Sequence, residues 1–164
     1  KNMVTQLSSA RLCGHLSLMQ VNLYAFMNQI SDSLRLLSRK DFNCELVMND
    51  SLPLIEIDPQ LLKQAIVNIV KNACEAMNGS GTVIIHVFCK NSLLHIAITD
   101  HGGGLPPALA ANIFSPFITS KTGGSGLGLV ITKQIIEAHH GSISCDSRPG
   151  DGCTFTIILP LTQN

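Results

Sequence analysis

The chain has 164 residues and a mass of 17.6 kDa, enough for one buried core, so a single domain is expected. Its 11 basic residues balance its 11 acidic ones, which argues against a nucleic-acid face; any phosphate bound here belongs to a small ligand. The 6 cysteines form no CxxC pair and several sit in apolar runs, fitting a reducing cytosol, and the 6 histidines lack metal-ligand spacing. No apolar run approaches the ~18 residues that span a bilayer, and no signal peptide is visible. The chain starts with Lys1, so it reads as a piece of something longer whose membrane anchor, if any, lies elsewhere.

In chain order, residues 1 to 20 read as a helical tail or linker, with Val4, Leu7, Leu12, Leu16 and Met19 loosely at helical spacing. Asn22 is the N-cap expected for a helix from Leu23 to about Ser38. Cys44 to Met48 and Leu54 to Ile57 read as short strands. Asp58-Pro59 supplies an acidic cap and a first-turn proline for a long helix running to Met77 and stopping at Asn78-Gly79. Thr82 to Cys89 and Leu93 to Thr99 form a hairpin. A glycine-rich stretch leads to a helix from Leu127 to Ala138, and Ser142 to Cys145 with Cys153 to Leu159 makes a second strand pair. Because hairpins dominate the later strands, a mixed, mostly antiparallel sheet covered on one face by helices is expected.

The helix after Asp58 places Gln64, Asn68, Asn72 and Glu75 on one stripe, with Lys71 beside it. Such a stripe is often just a solvated face. Asparagine, however, competes with backbone hydrogen bonding in mid-helix, and two of them one turn apart favour a function. A carboxamide oxygen suits Mg²⁺, so Asn72 is the expected metal ligand, with Asn68 and Glu75 orienting water or phosphate. Asp100 ends an apolar run, where an acid can simply close a strand or can accept from an exocyclic amine such as adenine's. Gly102 and Gly104 let backbone approach the base and sugar, and Thr154 on a late strand is a further hydroxyl for the pocket. Gly124, Ser125, Gly126, Leu127 and Gly128 open the next helix, where exposed N–H groups favour phosphate. Lys121 just before them is a candidate cation or an ordinary solvated lysine.

Four segments together resemble the ATP-binding catalytic domain of sensor histidine kinases. Gln64-x₃-Asn68-x₃-Asn72-Ala73 resembles its N box, and Asp100-x-Gly102-x-Gly104 its first glycine box. Phe114-x-Pro116-Phe117 resembles the F box, and Gly124-x-Gly126-x-Gly128 the second glycine box. The likeness covers roughly Val21 to Pro160. It implies a GHKL-type two-layer α/β sandwich with Asp100 binding adenine, Asn72 holding Mg²⁺, and Leu105 to Gly124 forming a mobile ATP lid. It also implies ATP as phosphoryl donor to a histidine on a separate domain, assisted by Asn68, Glu75 and Lys121. Glu75 and Gln64 are candidates for a general base that assists the acceptor imidazole.

The sequence departs from the family pattern at several points. His101, Gly103 and Ser125 are small departures, and Cys153 stands in the family's threonine slot, leaving Thr154 in the free position beside it. His15 lacks the following acid and nearby proline of the family's acceptor helix. The resemblance therefore implies an upstream dimerisation and acceptor-histidine domain, of which residues 1–20 are the end, with the catalytic domain spanning 21–164. It further implies a response-regulator receiver domain as partner, a homodimeric full-length protein, and a cytoplasmic location, the whole protein being anchored in the inner membrane or not. The competing readings are an ATPase conformational switch and a nucleotide-binding regulatory module without phosphotransfer.

Overall fold

A computed structural model describes residues 15–37, 41–118 and 125–163. Strand β1 (Met19–Asn22) leads into helix α1 (Leu23–Leu37), then strands β2 (Phe42–Met48) and β3 (Leu54–Ile57). Helix α2 (Pro59–Ala76) precedes β4 (Gly81–Lys90) and β5 (Leu93–Asp100). The short α3 (Pro107–Ala110), α4 (Gly128–Ala138), β6 (Ser142–Arg148) and β7 (Gly152–Pro160) complete the order.

Local chemistry sets most boundaries. Asn22 Oδ1 accepts from Ala25 N at 3.1 Å and so caps α1. Asp58 Oδ1 accepts from Gln60 N and Leu61 N, both at 3.1 Å, while Pro59 occupies the first turn of α2. Past the end of α2, Asn78 and Gly79 take positive φ (56° and 76°), and Gly79 N donates to Cys74 O. The β4–β5 hairpin turns on two residues, Asn91 and Ser92, with φ of 53° and 61°, the mirror-image turn whose twist matches paired strands.

The main sheet runs β2-β4-β5-β7-β6, with β2 parallel to β4 and the other pairs antiparallel. Alternation places Val83, Ile85 and Val87, then Leu94, Ile96 and Ile98, then Phe155, Ile157 and Leu159 on one face, all buried. Helices cover that face with Met27, Ile30 and Leu34 from α1, Leu62, Ile66 and Ile69 from α2, and Ile135 and Ile136 from α4. Burying each such side chain contributes about 1.5–3 kcal/mol, so this interface is the main stabilising element. The opposite face carries the alternate residues; there the Phe88 and His95 rings stack at 4.9 Å. The expected mixed, mostly antiparallel sheet with helices on one face is the observed one.

The expected helical tail differs from the structure at its end: Met19 to Asn22 form a strand antiparallel to Leu54–Ile57, with Val21 packed against the core. Four residues are too few for a period-2 signal, and β3 pairs with them from far along the chain. Residues 1–14 lie outside the described residues. Among the described residues, no helix is long and apolar enough to cross a membrane.

The fully buried His139, just past α4, ties three segments together. Asp58 N donates to His139 Nε2 at 3.0 Å, which requires the proton on Nδ1, 2.7 Å from Ile135 O. Asp58 Oδ2 in turn accepts from Ser17 N at 2.9 Å. The start of α2, the end of α4 and the segment entering β1 therefore share one polar joint. Replacing His139 with leucine strands the Asp58 N–H, and a loss of about 1–3 kcal/mol is expected, read as a lower urea midpoint with an unchanged slope.

Candidate functional site

Asn68, Asn72 and Glu75 of the α2 stripe and parts of both glycine segments meet around one cavity of about 650 Å³, while Gln64 is exposed and outside its lining. Asn68, Asn72 and Glu75 from α2 form one wall; Asp100 lies at the end of β5, Gly104 in the loop that follows it, and Cys153 at the start of β7. Ser125, Gly126 and Gly128 bring in the start of α4, while Leu105, Leu109, Ile113, Leu129 and Phe155 give an apolar lining. Phe114 of the F-box segment meets Phe155 edge-on with ring centroids 6.3 Å apart, which braces that lining from behind. A flat heteroaromatic ring fits this combination: apolar walls with one carboxylate at the inner end.

Asp100 is 3% exposed, yet its charge is supported by backbone. Its Oδ1 accepts from Gly102 N at 2.9 Å and from Cys153 N at 3.3 Å. Among the described residues no hydrogen bond falls on Oδ2, so this atom remains available to a donor from a ligand. Such a carboxylate is oriented before any ligand arrives, and a charge-assisted bond to an exocyclic amine then contributes about 1.5–3 kcal/mol.

Close backbone contacts hold this corner. Gly104 has φ +68°, and a Cβ on it would lie 2.0 Å from Arg148 O; one on Gly152, at φ +87°, would lie 2.1 Å from Asp100 O. Gly150 N also donates to Gly103 O at 2.8 Å, and Leu105 N to Ser147 Oγ at 2.8 Å. The first glycine loop is thereby fastened to the β6–β7 hairpin. Gly102 packs against the end of α2, where a Cβ would meet Ala76 O at 2.8 Å.

The polar wall is equally constrained. Asn68 Nδ2 donates to Thr132 Oγ1 on α4 at 2.9 Å. The first turn of α4 has no side-chain cap on Leu127, although Leu127 N itself donates to Ser125 Oγ at 3.3 Å, so its leading N–H groups can serve an anion. Gly126, at φ +65°, lies so close to Phe117 that a Cβ would come within 2.6 Å of its Cα. The side-chain donors on this wall, the carboxamides of Asn68 and Asn72 and the Glu75 carboxylate, offer oxygen, which fits a hard cation sharing its shell with water and phosphate. Among the described residues no cluster of three His, Cys, Asp or Glu side chains could hold a metal by itself.

Two sequence expectations change. Thr154 lies on the opposite face of the sheet, with its hydroxyl 3.0 Å from that of Thr99, and does not line the cavity. β7 alternates, so the buried residue beside Asp100 is Cys153, its direct partner across the strand pair. Lys71 is exposed and stands off the cavity, one helical step round from Asn72. Lys121 and Gly124 lie outside the described residues. The reading from sequence passed over Thr132, whose only signal was a polar residue at a buried position of an apolar helix.

Burial pushes the Cys145 thiol up to about 12, with Cys153, Asp100 and Asp146 adding to it, and burial likewise raises Cys153. Cys153 Sγ donates to Ser147 Oγ at 3.1 Å. Both thiols stay protonated at neutral pH and act here as small neutral side chains.

Residues 57–163 match the family described as histidine kinase-, DNA gyrase B-, and HSP90-like ATPases, and the chain belongs to that family. Among individual relatives, it is 42% identical over 125 residues to the signal transduction histidine-protein kinase AtoS of Escherichia coli (strain K12). That match covers 76% of this chain and 20% of AtoS, so the chain spans about a fifth of the relative's length. The catalytic domain of histidine kinase ThkA superposes with TM-score 0.77 at 32% identity, over 90% of this chain and 97% of ThkA's. Full-length ShkA, solved in complex with AMPPNP, gives TM-score 0.85 at 26% identity, over 97% of this chain and 35% of that one.

Neighbouring glycines distinguish a required close approach from mere looseness. Gly103 has nothing within 4 Å of its would-be Cβ, whereas Gly104 has the Arg148 carbonyl. Gly104→Ala is expected to cost about 1–3 kcal/mol and lower Tm by several degrees, while Gly103→Ala stays within about 0.5 kcal/mol; thermal unfolding of both variants checks it.

Proposed function

We propose that this chain is the catalytic domain of a sensor histidine kinase, which binds Mg·ATP and presents the γ-phosphoryl group to a histidine on another domain. The observation that carries this reading is the pairing across one cavity of a backbone-oriented carboxylate, Asp100, with the Asn68, Asn72 and Glu75 wall. Supporting it are the likeness to AtoS and ThkA and the AMPPNP held by ShkA.

Asp100 accepts from the adenine amine while the apolar lining encloses the ring. The N–H groups at the start of α4 face the phosphates. Asn72, with Glu75 and Asn68 nearby, would hold Mg²⁺, which when bound neutralises phosphate charge during transfer. Phosphoryl transfer needs chiefly alignment and charge stabilisation, and the rigid wall of α2 supplies the first. Lys121 is the proposed lid cation, and Glu75 or Gln64 the group that assists the acceptor imidazole. The acceptor lies in an upstream dimerisation domain, the product phosphohistidine serves a response-regulator receiver domain, and the full-length protein is a homodimer acting on the cytoplasmic side.

The test combines this chain, γ-labelled ATP and the acceptor-helix domain of its own full-length protein. Acid-labile, alkali-stable label on the acceptor is expected, and Asp100→Asn should weaken ATP binding at least about tenfold. Released inorganic phosphate with no labelled acceptor would identify an ATPase switch instead.

A further inference from the structure

A carboxamide accepts at one end and donates at the other, so what Asn68 can offer a ligand depends on which end faces the cavity. Its partner on α4 decides this. Thr132 is 1% exposed, and its Oγ1 lies 2.9 Å from Asn68 Nδ2 and 2.9 Å from Gly128 O. A carbonyl oxygen only accepts and a hydroxyl has one proton, so that proton goes to Gly128 O. Thr132 Oγ1 must then accept from Asn68, which commits the amide nitrogen to Thr132 and leaves Oδ1, beside Gly128 in the cavity lining, as the end that can accept from a ligand.

Gly128 contributes to the same arrangement. A Cβ there would lie 2.8 Å from Asn68 Oδ1 and 3.1 Å from Nδ2, so the carboxamide occupies space that only glycine leaves open. Two ligand groups are expected at this end of the cavity. Phosphate oxygens only accept and would oppose Oδ1; the waters of a hydrated divalent cation donate and would match it.

From this, and resting on the proposed function, we infer that Thr132 is a positioning residue: it locks Asn68 as an acceptor toward the hydration shell of the nucleotide's divalent cation. Asn68 thereby turns its acceptor toward the metal's waters, and of its two N–H groups one stays committed to Thr132. Valine at this position has the same shape but no hydroxyl, and would leave the carboxamide able to turn over.

The experiment measures the Kd of AMPPNP by calorimetry with Mg²⁺ and with EDTA, in the wild-type chain and three variants. The quantity read is the gain in affinity caused by Mg²⁺. Thr132→Val should reduce that gain about tenfold while leaving the metal-free Kd within about twofold of wild type, as expected when the support of a metal-site residue is lost. Thr132→Ala, which adds no methyl against Gly128, should show the same loss, and keeps the test available should valine prevent folding. Thr132→Ser retains the hydroxyl and should keep the wild-type gain. The inference is overturned if both hydroxyl-free variants keep the gain, or if serine loses as much as valine. A wild-type chain that binds no AMPPNP, or gains nothing from Mg²⁺, overturns the proposed function and this inference with it.

Discussion

The Asp100 carboxylate accepting two backbone N–H groups at the end of β5 is the constraint around which the cavity is organised. It brings the first glycine loop, through Gly102, and the start of β7, through Cys153, to one oxygen. That leaves the other oxygen to a ligand. A buried carboxylate without such support would be costly to keep charged; here main-chain donors supply that support. The contacts at Gly104 and Gly152 follow from this arrangement, because the hairpin can approach the loop only where no Cβ intervenes.

The opposite wall obeys a different logic. α2 is a rigid helix capped by Asp58, and its exposed stripe is aimed into the cavity by the packing of its apolar face on the sheet. α4 is attached to it at two places. His139 joins the end of α4 to the start of α2, and Thr132 joins its middle to Asn68. The polar wall and the uncapped start of α4 are therefore held in register by the same helix. The segment before β1 shares the His139 joint through Ser17, whose N–H donates to Asp58.

Much of this was legible in the residues. Asn22, Asp58-Pro59 and Asn78-Gly79 announce helix ends because capping is local chemistry, and the long strands announce themselves by alternation. The glycine and asparagine segments, each ambiguous alone, point to one site because their order and spacing are those of a nucleotide-binding family. What was not legible depended on partners remote in sequence. β1 is defined by β3, and the four residues Met19–Asn22 carry too little pattern to reveal it. The assignment of Thr154 to the pocket failed by one residue, and in a strand one residue reverses the face. Lys71 lay one position from the stripe, about 100° round the helix, which is enough to take it out of the cavity. Thr132 could be recognised only once α2 and α4 were seen side by side.

In the proposed complex Asp100 Oδ2 accepts from an exocyclic amine. Calorimetric binding of ADP and of inosine diphosphate, which replaces that amine with a carbonyl, tests it without dependence on acceptor, metal step or lid. ADP is expected to bind at least about tenfold tighter, the equivalent of one charge-assisted hydrogen bond exchanged for an acceptor–acceptor contact. Equal affinities for the two nucleotides would rule out a contact between Asp100 and the amine.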